Sequence, residues 1–139
     1  MAGMQNAIGA PMAGRKRVLV ADDDVAVCSL LKLVLKSIAH VTTVQDAESA
    51  LAVLEKEPPF DAIISDFMLP GINGLEFVER LRAEPLSSRT PILMISGHDR
   101  HAVDERARAL GVEAFLHKPF TLAQLRQTIG GLLGPTAAA

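Results

Sequence analysis

Short apolar runs alternate with longer amphipathic stretches along most of the chain. The short runs are mostly continuously apolar, which is typical of strands buried on both faces of a parallel sheet. The second run, Val41-Thr42-Thr43-Val44, is the most polar, so it is predicted to lie at an edge of the sheet. Strands are predicted at 18–21, 41–44, 62–65, 92–95 and 114–116.

Between the predicted strands, apolar residues recur with helical spacing. The first such stretch has apolar residues three and four positions apart, which predicts an amphipathic helix. The fourth predicted helix has a thin apolar side, and Gly130 and Gly131 weaken the end of the fifth. The apolar stripe of the first helix consists of Val27, Leu30, Leu31, Val34, Leu35 and Ile38, and the other four helices are predicted at 47–57, 74–83, 100–110 and 121–133.

Strict alternation of five strands and five helices predicts an α/β fold of (βα)5 type. Such a chain forms a doubly wound parallel sheet with right-handed crossovers and helices on both faces. A polar second strand at the edge fits the flavodoxin-like order 2-1-3-4-5, whose ligand site lies at the carboxyl ends of strands 1 and 3. The domain is predicted at 16–133, between a flexible N-terminal tail at 1–15 and a short C-terminal tail at 134–139.

The charge balance excludes several classes of partner. The 139 residues include 14 Lys and Arg against 16 Asp and Glu, a net charge of −2. A protein that grips nucleic acid needs a basic surface, and one that binds anionic lipid needs a polybasic patch. The single cysteine, Cys28, suits a reducing compartment, and neither a signal peptide nor a membrane span is evident. We therefore expect a cytoplasmic protein that binds neither nucleic acid nor membranes directly.

Polar residues follow every predicted strand at the end where a ligand would bind, and those after the second strand, Gln45-Asp46, lie out at the edge of the sheet. Asp22, Asp23 and Asp24 follow the first, Asp66 the third, Ser96 the fourth and Lys118 the fifth. Clustered carboxylates repel one another, and Mg²⁺, which prefers oxygen ligands, removes that repulsion. A cation, a lysine and a hydroxyl together suit a phosphoryl group, and one of the carboxylates could be the nucleophile.

Each of these residues also has an ordinary interpretation when it is considered alone. Asp24 suits a helix N-cap, whereas a lone Asp66 or Ser96-Gly97 suits a turn. A lone Lys118 suits the surface, and Cys28 suits helix packing. The four histidines share no metal-ligand spacing. On the fourth helix, Arg100, Arg106 and Arg108 are balanced by Asp104 and Glu105, which is typical of a solvated face. The joint placement at one sheet edge favours the functional interpretation.

Four segments resemble the signatures of the response regulator receiver family, the CheY-like domains of two-component signalling. They are VLVADDD (18–24), ISDFMLPGINGLE (64–76), PILMISGHD (91–99) and GVEAFLHKPF (111–120), and the resemblance covers residues 16–133. It implies that Asp66 is the phosphoacceptor and that Mg²⁺ is the cofactor. The implied metal ligands are Asp23 directly, Asp22 through water, Asp66, and the main-chain carbonyl of Met68.

The same resemblance implies a switch and its partners. Lys118 would contact the phosphoryl group, with a cis bond to Pro119, while Ser96 and Phe115 would be the switch residues. Ser96 stands where Thr is commoner, and Phe115 where Tyr is frequent. The phosphoryl donor would be a phosphohistidine of a histidine kinase or phosphotransfer protein. Targets would dock on the face of the fourth helix, fifth strand and fifth helix, and the protein would be a monomer or a phosphorylation-dependent dimer.

Other functions remain open at this point. A phosphatase with an aspartyl-phosphate intermediate usually has a second acid two residues after the nucleophile, where this chain has Met68. A flavin mononucleotide carrier would have Ser, Thr or Gly after strand 1 rather than three acids. A degenerate receiver would act purely by binding. A receiver catalyses only its own phosphorylation and dephosphorylation. We expect a stand-alone receiver, because no output segment follows residue 133, with a fragment of a larger regulator or hybrid kinase as the alternative.

Overall fold

The computed structural model describes residues 15–57, 59–85, 87–97 and 101–134, without the side chains of 101–103. Within these ranges the chain forms five strands and five helices in alternation. The strands are β1 (Lys16–Ala21), β2 (Ala39–Val44), β3 (Ala62–Asp66), β4 (Ile92–Ser96) and β5 (Ala114–His117). The helices are α1 (Val25–Leu35), α2 (Ala47–Lys56), α3 (Gly74–Ala83), α4 (His101–Ala109) and α5 (Leu122–Leu133). Apart from Arg15 and Gly134, the predicted tails lie outside the described residues.

The five strands form one sheet in the order β2-β1-β3-β4-β5. Each neighbouring pair is parallel. This confirms the predicted fold class, the strand order and the edge position of the polar second strand. The register sets Ala21 beside Ser65 and Ser96 beside His117. As a result, β1, β3, β4 and β5 all end at the same edge of the sheet.

Two apolar layers cover the two faces of the sheet, because alternate residues of a strand point to opposite faces. On one face, Leu19 and Ile63 pack with apolar residues of α2, α3 and α4. On the other, Val20 and Ile64 pack with residues of α1 and α5. Burial on both faces explains why the strands read as continuous apolar runs rather than as alternating ones.

The predicted apolar stripe of α1 is wrong at two positions. Leu30 is exposed, whereas Cys28, Leu31 and Leu35 are buried. At 3.6 residues per turn Leu30 lies about 200° around the helix from Cys28, so it faces away from the sheet. Ile38 lies beyond the end of the helix and packs partly against the same core. Spacings of three and four therefore identified the helix correctly but made its buried face too wide.

Polar side chains cap the helices at the functional edge. The carboxylate of Asp24 accepts hydrogen bonds from the backbone N–H groups of Ala26 and Val27, which confirms its expected role as the N-cap of α1. Thr121 and Gln124 form a capping box at the start of α5. Among the described residues, no helix has the length and apolar character needed to cross a membrane.

Candidate functional site

Three carboxylates meet where β1 and β3 end. Asp22 and Asp23 directly follow β1, and Asp66 is the last residue of β3. One oxygen of each carboxylate lies within 4.8 Å of one oxygen of each of the others. Asp22 and Asp66 are buried, and Asp23 is exposed. Adjacent parallel strands place these acids together, as the strand order predicted.

Three hydrogen bonds hold Asp22 in place. Its N–H donates to the carbonyl of Val44 at 3.0 Å, and its own carbonyl accepts from Cys28 Sγ at 3.2 Å. The N–H of Asp24 donates to Asp22 Oδ1 at 2.9 Å. The other carboxylate oxygen, Oδ2, is buried and has no hydrogen-bond partner among the described residues. Oδ2 can therefore bind a ligand that the protein itself does not supply.

Burial raises the pKa of Asp22 to about 6, and the negative charges of the neighbouring Asp66 and Asp23 carboxylates also raise it. The hydrogen bond from the Asp24 N–H and the charge of Lys118 oppose this rise. A carboxylate with a raised pKa is destabilised in its charged form. The charged form of Asp22 would therefore gain from a nearby cation.

Asp66 has two different neighbours on its two oxygens. Oδ1 accepts from the N–H of Met68 at 3.0 Å, and Oδ2 lies 3.4 Å from Lys118 Nζ. The backbone N–H of Lys118 donates to the carbonyl of Ser96 at 2.8 Å, which ties the end of β5 to β4. Lys118 is followed by a cis bond to Pro119, as the sequence resemblance implied. The lysine thus reaches the central acid from two strands away.

Ser96 and Gly97 lie beside this group at the end of β4. The Ser96 side chain is buried, and its Oγ has no hydrogen-bond partner among the described residues. A Cβ added at Gly97 would meet nothing within 4 Å. A buried hydroxyl that bonds to nothing is unusual in folded proteins. Ser96 can donate to a group that arrives in the site.

Met68 lies at the mouth of the site with 60% of its surface exposed. It pairs with Asn73 in an isolated antiparallel bridge that closes the loop between β3 and α3. Gly74 fits under this loop and donates its N–H to the carbonyl of Phe67 at 2.8 Å. This packing keeps Met68 beside Asp66 while its side chain points into solvent.

Phe115 is half-buried on β5 and packs against the core layer under α2, α3 and α4. The guanidinium carbon of Arg108, on α4, lies 4.7 Å from the centre of its ring. A cation over an aromatic face is an attractive arrangement. The predicted switch aromatic is therefore covered by a residue of α4.

The expectation for Asp104 is wrong, because this residue does not belong to a solvated face. Asp104 is buried, and its Oδ2 lies 2.5 Å from Nε2 of His117, a residue to which the sequence pattern assigned no role. Asp104 lies three residues before the fully buried Ala107 and so shares its inward side of α4. That spacing was the available signal for the buried position. Arg100 and His98 lie outside the described residues.

The donor set suits a hard divalent cation. It consists of carboxylate oxygens, it carries an excess of negative charge, and it includes the unpartnered Oδ2 of Asp22. Mg²⁺ prefers such oxygen ligands, uses one or two protein carboxylates, and keeps several waters. The residues present therefore fit the metal that the sequence predicts.

Comparison with known proteins identifies the family. The family model described as the response regulator receiver domain matches residues 18–130. The chain belongs to the response regulator receiver domain family. Mg²⁺ and phosphoaspartate are typical of this family, which serves in two-component signalling.

Relatives of this receiver domain include short and long proteins. A probable chemotaxis protein CheY of Rhizobium etli is 28% identical over 125 residues, which are 88% of this chain and 96% of the relative. The transcriptional regulatory protein TcrA of Mycobacterium tuberculosis is 38% identical over 112 residues, which are 78% of this chain but 42% of the relative. The domain therefore spans nearly all of one relative and less than half of the other.

Solved receiver structures share the fold of this domain. The chemotaxis response regulator CheY4 of Vibrio cholerae has a TM-score of 0.79 and 31% identity, over 85% of this chain and 98% of that one. The receiver domain of the sensor histidine kinase PA1611 from Pseudomonas aeruginosa has a TM-score of 0.76 and 25% identity, over 87% and 99%. The latter structure is described with a magnesium ion coordinated in its active site cleft.

Proposed function

We propose that this receiver domain accepts a phosphoryl group on Asp66 from a phosphohistidine and thereby changes which proteins it binds. The donor is the phosphohistidine of a histidine kinase or a histidine phosphotransfer protein. One observation carries the proposal: the buried Asp66 carboxylate faces the ammonium group of Lys118 at 3.4 Å, inside a cluster of acids that fits a divalent cation.

The chemistry is a transfer of phosphorus from nitrogen to oxygen. One carboxylate oxygen of Asp66 attacks the phosphorus atom, and the bond from phosphorus to the donor imidazole nitrogen breaks. The leaving nitrogen takes the electron pair and then a proton, and Asp66 becomes an acyl phosphate. Lys118 stabilises the negative charge of the transferred group, since an ammonium group in a preorganised site acts without reorganisation. Water later hydrolyses the acyl phosphate and regenerates the carboxylate.

Asp22, Asp23 and Asp66 would hold Mg²⁺, together with the main-chain carbonyl of Met68. When bound, the ion would supply positive charge next to the transferred phosphoryl group. The hydrogen bonds on Asp22 fix its Oδ1 and its main chain and leave Oδ2 without a partner among the described residues, so Asp22 would act on the ion through a water. Asp23, the exposed member of the cluster, would bind the ion directly.

Residues on β4 and β5 change conformation in response to phosphorylation. The phosphoryl group gives the unpartnered hydroxyl of Ser96 an acceptor, and the end of β4 moves toward it. Phe115 then turns inward, and α4 shifts because its apolar anchor is thin. A local charge change with a global response is the general form of a phosphorylation switch. Targets bind the face formed by α4, β5 and α5, and the domain is a monomer or dimerises on phosphorylation.

This proposal makes the domain a signalling module rather than an enzyme acting on external substrates. Its only reactions are its own phosphorylation and dephosphorylation. The residue two positions after Asp66 is Met68, where an aspartyl-phosphate phosphatase usually has a second acid. Steady turnover of an external phosphate ester by the purified protein would contradict the proposal.

Intact-mass measurement tests the phosphoacceptor. The protein is incubated with Mg²⁺ and a small acyl phosphate donor, and its mass is compared with that of Asp66→Asn and of Asp24→Asn. We expect wild type and Asp24→Asn to gain one phosphoryl group and Asp66→Asn to gain none. Asp24→Asn is the matched control, because Asn caps a helix about as well as Asp does. Residue 24 also lies outside the cluster of Asp22, Asp23 and Asp66. A phosphoryl adduct on Asp66→Asn would overturn the assignment.

A further inference from the structure

Arg82, near the end of α3, forms hydrogen bonds through all three nitrogens of its guanidinium group. Nε donates to the carbonyl of Leu110 at 3.2 Å, and Nη2 donates to the carbonyl of Gly111 at 2.7 Å. Nη2 also lies 3.3 Å from Oε1 of Glu113. Nη1 donates at 2.8–3.3 Å to three carbonyls of the loop between α3 and β4, those of Ser87, Ser88 and Thr90. One arginine therefore joins α3, the loop that follows α3, and the turn that follows α4.

The turn after α4 leaves carbonyls that need a donor from outside the helix. Gly111 has a φ of +92°, and its N–H donates to the carbonyl of Arg108 at 2.9 Å. The N–H of Val112 donates to the carbonyl of Ala107 at 3.0 Å. These two bonds form a Schellman motif, which satisfies carbonyls inside the last turn of the helix. Arg82 is the donor to the two carbonyls that follow the helix, and its positive charge suits the negative end of the helix dipole.

Apolar packing holds the same end of α4. Ala107 is fully buried and Val112 is buried, and both belong to the core layer on this face of the sheet. Leu110 packs partly against that layer. Nearer the start of the helix, the buried side chain is the polar Asp104, which contacts the partly exposed His117. Among the side chains that the structure describes on α4, the buried apolar one therefore lies toward the C-terminal end.

The contacts of Arg82 lie at the edge of the sheet opposite the phosphorylation site. Because the strands are parallel, each connecting helix returns the chain to the edge where the next strand begins. Glu113 directly precedes β5, and its Oε1 also accepts from the N–H of Ile92, the first residue of β4, at 2.8 Å. The N–H of Glu113 donates to the carbonyl of Ile92 at 3.1 Å. Arg82 and Glu113 thus tie the end of α4 to the beginnings of two strands.

We propose that Arg82 fixes the C-terminal end of α4, so that phosphorylation of Asp66 rotates α4 about this end and displaces mainly its N-terminal turns. This inference rests on the proposed function, in which α4 shifts when Asp66 is phosphorylated. The helix has nine residues and is about 13 Å long, so a rotation about one end moves the other end most. Arg82 is a positioning residue, because it lies at the edge opposite the transferred group.

Arg82→Lys removes the bridge and keeps the positive charge. The donors of lysine radiate from one nitrogen, whereas those of arginine are spread over a planar fork. Arg80→Lys is the matched control, because Arg80 lies on the same helix and is exposed. Ser87→Ala is the control for lost stability, because the Ser87 hydroxyl donates to the carbonyl of Leu81 at 2.7 Å, a bond that does not involve α4.

Hydrogen exchange resolved to single amides tests the fixed end without phosphorylation. Amides 110–112 report on the C-terminal end of α4, and amides 105–107 report on its N-terminal turns. We expect Arg82→Lys to raise the exchange of amides 110–112 on the order of tenfold, because hydrogen bonds from a charged group are lost. Arg80→Lys should match wild type, and Ser87→Ala should raise the exchange of both groups alike. Unchanged exchange of amides 110–112 in Arg82→Lys would overturn the proposal.

A second arm repeats the measurement on protein kept phosphorylated by excess small acyl phosphate and Mg²⁺. In wild type we expect the exchange of amides 105–107 to rise on the order of fivefold and that of 110–112 to rise less than about twofold. In Arg82→Lys, with an unchanged adduct yield by intact mass, both groups should rise by a similar factor. Ser87→Ala should keep the wild-type pattern, because lost stability alone does not release this end. Equal rises in wild type, or the wild-type pattern in Arg82→Lys, would contradict the proposal.

A milder variant, Glu113→Gln, tests the same end of α4 should Arg82→Lys fail to fold. It removes the charge that pairs with Arg82 at a position whose side chain is 43% exposed. The exchange of amides 110–112 should then rise about twofold, the size of a partly exposed ion pair, and no rise would count against the proposal. Absence of any adduct on wild type would contradict the proposed function instead, while the unphosphorylated arm would still decide whether Arg82 fixes the end of α4.

Discussion

The Nζ atom of Lys118 lies 3.4 Å from Oδ2 of Asp66, although 52 residues separate the two in the sequence. Lys118 reaches the acid because β5 and β3 flank β4 in a parallel sheet, so that all three strands end at one edge. The lysine side chain is 44% exposed and the aspartate side chain is 8% exposed. The partly exposed ammonium group of Lys118 therefore lies next to the buried carboxylate of Asp66.

Replacing Lys118 should separate phosphorylation from its effect. We expect Lys118→Ala to form the adduct on Asp66 more slowly, by roughly one to two orders of magnitude, because a preorganised positive charge is lost. The adduct that does form should no longer change the exchange of the α4 amides. Adduct formation followed by intact mass, together with exchange of residues 104–110, measures both effects. Lys32→Ala, an exposed lysine on α1, is the control and should behave as wild type.

Asp22→Asn should stabilise the metal-free protein at neutral pH. The Asn side chain can keep the hydrogen bond from the Asp24 N–H while removing a buried charge whose pKa is raised to about 6. A gain on the order of 2 kcal/mol in the free energy of unfolding is expected. Mg²⁺ should raise the melting temperature of wild type and leave that of Asp22→Asn nearly unchanged.

The same substitution should lose its effect in acid. Between the unfolded pKa of 3.8 and the folded pKa of about 6, the folded protein binds more protons than the unfolded chain. The stability cost of Asp22 is therefore fully present above about pH 6 and disappears as the pH falls toward 4. Thermal melts of both proteins without metal should differ at pH values above this window and converge below it. A constant difference at all pH values would contradict this origin of the effect.

Ser96→Ala and Ser65→Ala should have opposite consequences. The hydroxyl of Ser96 is buried without a partner, so its removal should leave stability unchanged or slightly higher. The hydroxyl of Ser65 donates to the carbonyl of Asp66 at 3.0 Å, and its removal should cost about 1 kcal/mol. Only Ser96→Ala should abolish the phosphorylation-dependent change in α4 exchange. Denaturant titration and hydrogen exchange measure the two properties separately.

Two glycines should respond oppositely to alanine. A Cβ at Gly74 would lie 2.8 Å from the Cα of Phe67, so Gly74→Ala must displace the loop that carries Met68. We expect a loss of about 1–3 kcal/mol in the free energy of unfolding. At Gly130, inside α5, a Cβ would meet nothing within 4 Å, and Ala should add up to about 1 kcal/mol through helix propensity. Chemical denaturation of both variants tests the pair, and a stable Gly74→Ala would show that the loop can move.

The sequence by itself determined the fold and most of the candidate site. Continuously apolar strands and alternating helices specify a doubly wound sheet, because parallel strands must be buried on both faces. The strand order then brings Asp22, Asp23, Asp66, Ser96 and Lys118 to one edge. The positions of these residues could be inferred from the ends of their strands alone, since a strand end fixes a place on the edge of a parallel sheet.

The tertiary structure decided which polar groups are buried and what they contact. Asp104 and Glu105 are neighbours in the sequence and look alike there, yet only Asp104 turns inward and meets His117. Leu30 belongs to an apolar pattern but points to solvent. Such differences depend on the rotation of each helix on the sheet, which the packing of the whole core determines. The unpartnered oxygens of Asp22 and Ser96 are decided in the same way, because a hydrogen-bond partner is supplied or withheld by residues distant in the chain.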